Sequence, residues 1–234
     1  TQEDIDSVVE VLQSDFLTQG PQVPAFETAI SEYCGVEYTL AVNSGTSALH
    51  IACLALGIGP GDEVWTSPIT FVASANCARY CGASVDFVDI DPRTYNMSVE
   101  ALAEKLQQRK NAGGTLPSLV IPVHLCGQSC DMAAIRALAD EYGFRIVEDA
   151  SHALGGRYQD GPILGHGGFQ FSPGQDHNDS RRRRRHDQQR GAGGETGVVP
   201  QPWRYAGRAP YDPAQPRPVV LRTDRARIQL PNDG

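Results

Sequence analysis

Apolar residues recur with a helical period at the start of the chain. Ile5, Val8, Val9 and Leu12 fall on one face of residues 2–13, and Val23, Phe26, Ile30 and Tyr33 do the same over about 22–34. Between them Leu17-Thr-Gln-Gly20-Pro21 breaks the pattern and predicts a loop of small polar groups. From Tyr38 onward short apolar runs alternate with helical stretches. Strands are predicted at 38–42, 63–67, 83–88, 118–123 and from about 144 to 149. Helices are predicted from the turn at Asn43 to about Leu56, and over 71–81, 98–109 and 132–142. Repeated strand–helix units of this kind imply a mainly parallel sheet with helices on both faces, an α/β fold.

Several strands end on residues that can do chemistry. Phe144, Ile146 and Val147 lead into Glu148 and Asp149, so a buried strand delivers an acid to its carboxyl end, where open α/β sheets bind ligands. His152 follows three residues later and can share a ligand with Asp149, although Asp-Ala-Ser-His is also good helix-capping chemistry. Asn43-Ser-Gly-Thr-Ser-Ala-Leu49 is a turn of small residues opening a helix. Its free amides and dipole favour an anion, and Thr46 and Ser47 add hydroxyls, while plain capping explains the same residues. Phe71 puts a ring at the same edge, with core packing as the alternative. His124 ends another strand and on its own reads as a structural histidine.

Composition divides the chain in two. Its 234 residues carry a formal net charge of −8, but 8 basic residues face 21 acids up to Pro162, while 12 arginines and no lysine face 7 acids after it. The later part is rich in Arg, Pro and Gly and includes the run Arg181–Arg185. Such runs can bind nucleic acid, yet residues 176–190 lack interleaved aromatics, so no nucleic-acid partner is expected. No run of about 18 apolar residues and no charged-then-apolar leader is present, so the chain is expected to be cytoplasmic, with no membrane partner. The six cysteines, four of them in two C-x3-C pairs, are expected to be reduced and packed as small apolar groups, with no metal bound.

A phosphate-binding turn, an aromatic ring and an acid on one sheet edge suit a flat, phosphorylated, basic heterocycle, because an aspartate keeps a pyridine nitrogen protonated. Asn43-Ser-Gly-Thr-Ser-Ala-Leu, Pro68-Ile-Thr-Phe-Val-Ala-Ser, Asp89-Ile-Asp-Pro and Glu148-Asp-Ala-Ser-His-Ala-Leu-Gly together resemble the sugar aminotransferases of the DegT/DnrJ/EryC1/StrS family. These are fold-type-I enzymes that use pyridoxal 5'-phosphate (PLP). The resemblance covers about residues 1–162. It implies that Gly45, Thr46 and Ser47 hold the phosphate, Phe71 stacks on the ring, Asp149 pairs with the pyridine nitrogen and His152 lies near the ring hydroxyl. Residues 1–20 would form an N-terminal helix and a substrate loop, with Leu17, Thr18, Gln19 and Gly20 contacting a nucleotide sugar. Residues 21–162 would be an incomplete PLP-binding large domain, and residues 163–234 an irregular tail. Leu17-Thr-Gln-Gly-Pro and Pro122-Val-His-Leu-Cys-Gly-Gln most resemble the branch of pseudaminic acid synthesis. Its enzymes aminate the C4 ketone of a UDP-linked 4-keto-6-deoxy-N-acetyl hexose with glutamate as donor, and intact relatives form homodimers.

One required residue is missing. The resemblance implies a lysine that forms a Schiff base with PLP, roughly 25–35 residues after the aspartate in a Ser-Phe-His-x-x-Lys motif. The chain has only Lys105 and Lys110, and that window holds Phe169-Gln-Phe-Ser-Pro-Gly-Gln-Asp176. Permitted codons for this segment, read one base later, spell Ser-Ser-Phe-His-Pro-Val-Lys. The same shift applied to Val220–Gly234 recovers Tyr-Tyr-Glu-Gln-Ile-Glu-Leu-Gly-Phe-Asn-Tyr-Arg-Met-Thr, a later segment of the family. The expectation is therefore a frameshift near Gly161–Leu164 and a defective transaminase. The alternatives are a lysine-less PLP- or sugar-nucleotide-binding protein, or a dehydratase with a histidine in place of lysine. Neither His166 nor His177 sits in the motif that the dehydratase would need.

Overall fold

The computed structural model describes residues 1–153, 155–158, 161–162, 168–172 and 219–223. Helices α1 (Gln2–Gln13) and α2 (Gln22–Cys34) precede strand β1 (Tyr38–Val42) and helix α3 (Gly45–Ala55). Then come β2 (Glu63–Thr66), α4 (Ala73–Tyr80), β3 (Ser84–Phe87), α5 (Val99–Asn111), β4 (Leu119–Ile121), α6 (Met132–Tyr142) and β5 (Arg145–Asp149). A short hairpin pairs β6 (Arg157–Tyr158) with β7 (Gly161–Pro162). Two later segments, β8 (Gly168–Ser172) and β9 (Val219–Thr223), are strands of the main sheet.

That sheet has seven strands in the order β1-β9-β8-β5-β4-β2-β3. Six run parallel, and β8 runs against its neighbours β5 and β9. Strand–helix–strand crossovers make β1 to β5 parallel, as the alternating pattern predicts, and β9 pairs parallel to β1. Strand alternation divides the core. Val64, Leu119, Ile121 and Val147 face α3 and α4, where they pack with Leu49, Cys53 and Cys77. Trp65, Val120 and Ile146 face the other way and pack with Leu102 and Leu106 of α5 and Ile135 and Ala139 of α6. Both faces are covered, which is why these strands read as continuous apolar runs.

The cysteines are free; four of the six are packed in the core as expected, whereas Cys81 is half-buried and Cys126 is exposed on its turn. Burial pushes the Cys130 thiol up to about 12, so it stays protonated at neutral pH. Among the described residues no cluster of His, Cys, Asp or Glu could hold a metal ion, and no helix is long and apolar enough to cross a membrane. The tail, expected to be irregular, pairs its segments β8 and β9 into the main sheet; the rest of it, with the Arg181–Arg185 run, His166 and His177, lies outside the described residues.

One charged cluster docks α5 on the sheet. Trp65 Nε1 donates to Glu63 Oε1 at 2.8 Å, and Arg109 Nη2 lies 3.0 Å from the same oxygen and 2.8 Å from Asp86 Oδ2. Lys105 Nζ pairs with Asp86 Oδ2 at 2.8 Å and stands 4.7 Å from the centre of the Trp65 ring. Burial raises the Asp86 pKa, but hydrogen bonds from Lys105, the Phe87 amide and Arg109 outweigh it, so the carboxyl sits below its usual value. Its contribution is thus present above the unfolded-state value and is lost as pH falls through the lower folded one. Arg109→Met, which keeps the bulk and removes the charge, leaves the buried Glu63 short of a partner. It is expected to cost about 1–3 kcal/mol in urea denaturation. An unchanged midpoint would mean that the cluster does not hold α5.

Candidate functional site

The candidate residues gather at the carboxyl edge of the parallel strands, and each is placed by its own element. The extended backbone of Ser44 ends β1 and caps α3, its Oγ accepting from the Ser47 amide at 3.1 Å. Ser47 Oγ donates to Asn43 Oδ1 at 2.8 Å and lies 2.9 Å from Ser44 Oγ. Capping therefore uses one of the orphan amides of the helix end. Those of Gly45 and Thr46 have no partner among the described residues, and the helix dipole adds to their pull on an anion. Capping leaves room for an anion here because the two uses call on different amides.

The β2–α4 connection carries the aromatic ring. Phe71 is 73% exposed, so the core-packing alternative does not hold. One turn on, the Ser74 amide donates to the Phe71 carbonyl, and the buried Ser74 hydroxyl donates to Asp149 Oδ2 at 2.7 Å. Thr70 Oγ1 lies 2.8 Å from Ser74 Oγ. Since Ser74 gives its proton to the carboxylate, Thr70 is the donor in that pair. A chain of hydroxyls thus joins the segment bearing Phe71 to the acid on β5.

Alternation along β5 explains why two adjacent carboxylates have different surroundings. Val147 and Asp149 face α3 and α4, and Ile146 and Glu148 face α5 and α6. Asp149 is 5% exposed, and its Oδ1 accepts from the Ser151 hydroxyl at 2.6 Å and amide at 3.3 Å. All its partners donate, as an ionised carboxylate requires. Asp149 closes a turn onto Ser151, and no helix starts there, so the capping alternative fails. On the opposite face His124 Nε2 lies 3.0 Å from Glu148 Oε2, and His124 Nδ1 accepts the Cys130 amide at 3.1 Å. The amide fixes the ring proton on Nε2, so His124 is the satisfied structural histidine that its lone position suggested. The two strand ends are laced together, with the His124 amide donating to the Asp149 carbonyl and the Asp149 amide to the Pro122 carbonyl.

His152 is exposed, and its Nδ1 accepts the Cys126 amide at 3.3 Å. The Leu17–Gly20 loop, with Gln19 and Gly20 both at φ 55°, shares no hydrogen bond with the edge residues among those described. The only two lysines lie on α5, across the sheet from Asp149. Lys105 is held by Asp86 and the Phe87 carbonyl, and Lys110 sits over the Tyr142 ring. Sequence reasoning missed Thr70, Ser74 and Ser151. The available signal was the placing of hydroxyls at the strand end, one turn into the helix, and two residues past the acid.

Two open amides at a helix start, an exposed ring and a buried, hydroxyl-held carboxylate fit the phosphate, faces and nitrogen of a phosphorylated pyridine. The donor set fits such a group and includes, among the described residues, no amine to bond it. Ser74→Ala removes one donor from Asp149 and strands the Thr70 hydroxyl. A loss of about 1–3 kcal/mol in denaturant unfolding is expected, and no loss would contradict the hydroxyl chain.

The sequence model of the DegT/DnrJ/EryC1/StrS aminotransferase family matches residues 1–173. The chain is 41% identical over 155 residues to the GDP-perosamine synthase of Caulobacter vibrioides, covering 66% of this chain and 40% of that protein. It superposes on Helicobacter pylori PseC, an aminotransferase of pseudaminic acid biosynthesis, with a TM-score of 0.63 and 32% identity, over 70% of this chain and 43% of that one. The PLP form of Spr1654 from Streptococcus pneumoniae, described as a sugar aminotransferase, matches with a TM-score of 0.61 and 29% identity, over 70% of this chain and 44% of that one. The chain thus spans about 40% of the curated relative's length, and the family's cofactor is PLP. On the sheet order, the edge geometry and these matches, the chain belongs to the DegT/DnrJ/EryC1/StrS aminotransferase family.

Proposed function

We propose that this chain binds PLP at the carboxyl edge of its sheet without a covalent bond, and that it descends from an enzyme that aminates a nucleotide sugar. The observation that carries this reading is the buried Asp149 carboxylate, held by Ser74 and Ser151 on the face shared with the open amides of α3. When bound, the cofactor supplies an electron sink for charge developing beside the reacting nitrogen. The chain's own groups have separate tasks. Gly45 and Thr46 donate amides to the phosphate with Ser47 beside them, Phe71 covers one ring face, and Asp149 keeps the pyridine nitrogen protonated. His152 donates to the ring oxygen, and Leu17, Thr18, Gln19 and Gly20 meet the sugar nucleotide.

Amino transfer also needs a base that moves a proton at the substrate carbon, and lysine does this in the family. Lys105 and Lys110 are engaged on the far face of the sheet, which supports a chain that binds cofactor and does not turn over. In the intact ancestor the substrate is a UDP-linked 4-keto-6-deoxy-N-acetyl hexose, the donor is glutamate and the enzyme is a homodimer. The match to PseC supports this branch. A shifted frame restores a lysine motif in residues 169–176, which supports a frameshift near residues 161–164.

In an absorbance titration PLP is expected to bind saturably and to leave on dialysis, with Asp149→Asn weakening it by about tenfold or more. Glutamate with the keto sugar is expected to give no 2-oxoglutarate. Dialysis-resistant cofactor that borohydride fixes, together with turnover, would overturn the reading. Sequencing the gene across codons 155–175 tests the frameshift, because its bases must spell the lysine motif one position over.

A further inference from the structure

The turn after β4 is held in a costly conformation, and its tip touches His152. Cys126 has φ 54° and Gly127 φ 86°, and on the facing segment Tyr95 has φ 59°. Non-glycine residues reach this region only when their surroundings force them to, and such positions gather where a side chain must be aimed. Here the force comes from Asn96, which is 3% exposed. Its Nδ2 donates to the Gln128 carbonyl at 3.0 Å and its Oδ1 accepts from the Leu125 amide at 3.1 Å, so one side chain clamps both ends of the turn. His124 Nδ1 closes the same loop by accepting the Cys130 amide.

Everything the clamp holds bears on His152. The Cys126 amide, turned by its left-handed backbone, donates to His152 Nδ1 at 3.3 Å. A Cβ on Gly127 would stand 2.9 Å from the His152 carbonyl oxygen, so only glycine lets the turn come this close. With Nδ1 accepting, a neutral His152 ring carries its proton on Nε2, which has no partner among the described residues.

We propose that Asn96 and Gly127 are positioning residues that lock His152 as an Nε2–H donor facing the sheet edge. The acceptor is an oxygen of the bound ligand, the ring oxygen of PLP, and this clause rests on the cofactor reading above. Asn96 and Gly127 act through the Cys126 amide and touch no ligand themselves.

Nitrogen-15 NMR of histidine-labelled protein without cofactor tests the lock. In the wild type His152 is expected to show a protonated Nε2 and an Nδ1 shifted by an accepted hydrogen bond. In Gly127→Ala and in Asn96→Asp, which keeps the acceptor for Leu125 and loses the donor to Gln128, it is expected to show an averaged, exchanging imidazole. Wild-type shifts in both variants would overturn the proposal. If the variants do not fold, amide exchange of Cys126 in His152→Ala decides. Exchange about tenfold faster than in wild type, the size of one lost hydrogen bond, supports the lock, and no change overturns it. Adding PLP to the wild type separates the two readings. A shifted Nε2 resonance supports PLP as the ligand, and an unmoved one removes PLP while the tautomer result stands.

Discussion

The hydrogen bond from Ser74 to Asp149 is the constraint on which the rest of the site depends. It joins the first turn of α4 to the end of β5 across a buried interface, and it fixes which way the acid faces. Strand alternation then sends Glu148 to the opposite face, where His124 takes it up. Two neighbouring carboxylates are thereby given different tasks by geometry alone. Asp149 faces α3 and α4, where the proposed ligand lies, and Glu148 ties β5 to the end of β4. Without the hydroxyls of Thr70, Ser74 and Ser151 a carboxylate this deep would lack the donors that make its burial tolerable.

On the reading proposed above, the edge is a holding site without the lysine that amino transfer needs. Open amides, an exposed ring and a fixed acid are all carried by residues up to 152, ahead of the point where a covalent lysine is expected. The two lysines that exist are used to dock α5 and to cover an aromatic ring, and the sheet lies between them and Asp149. On the proposed reading, binding and reaction fall on different stretches of chain, with the cofactor-holding residues ahead of residue 153 and the family's lysine expected after residue 162.

Much of this was legible in the residues. Helical and strand periods located α1 to α6 and β1 to β5 within a few positions, because α2 to α6 each bury one face and each inner strand is covered on both, whereas α1 keeps the helical period with its apolar face exposed. Gly45, Thr46, Phe71, Asp149 and His152 were legible as a group, since each follows the carboxyl end of a strand or opens the next helix. Three things were not. The Ser74–Asp149 bond spans 75 residues, so no local spacing announces it. The left-handed backbone of Cys126 lies in a turn that Asn96, far away in sequence, bridges by hydrogen bonds to Leu125 and Gln128. The strands β8 and β9 come from a segment without a hydrophobic period, and they take their places beside β5 and β1 through backbone pairing.

The most direct measurement is the nitrogen-15 spectrum of PLP labelled at its pyridine nitrogen and bound to the chain at neutral pH. The account predicts a protonated pyridine nitrogen in the wild type, and a shift back toward the free-base value in Asp149→Asn. A bound cofactor whose nitrogen matches PLP free in solution, or one unmoved by Asp149→Asn, would contradict the claim that the Ser74–Asp149 pair is built to hold it.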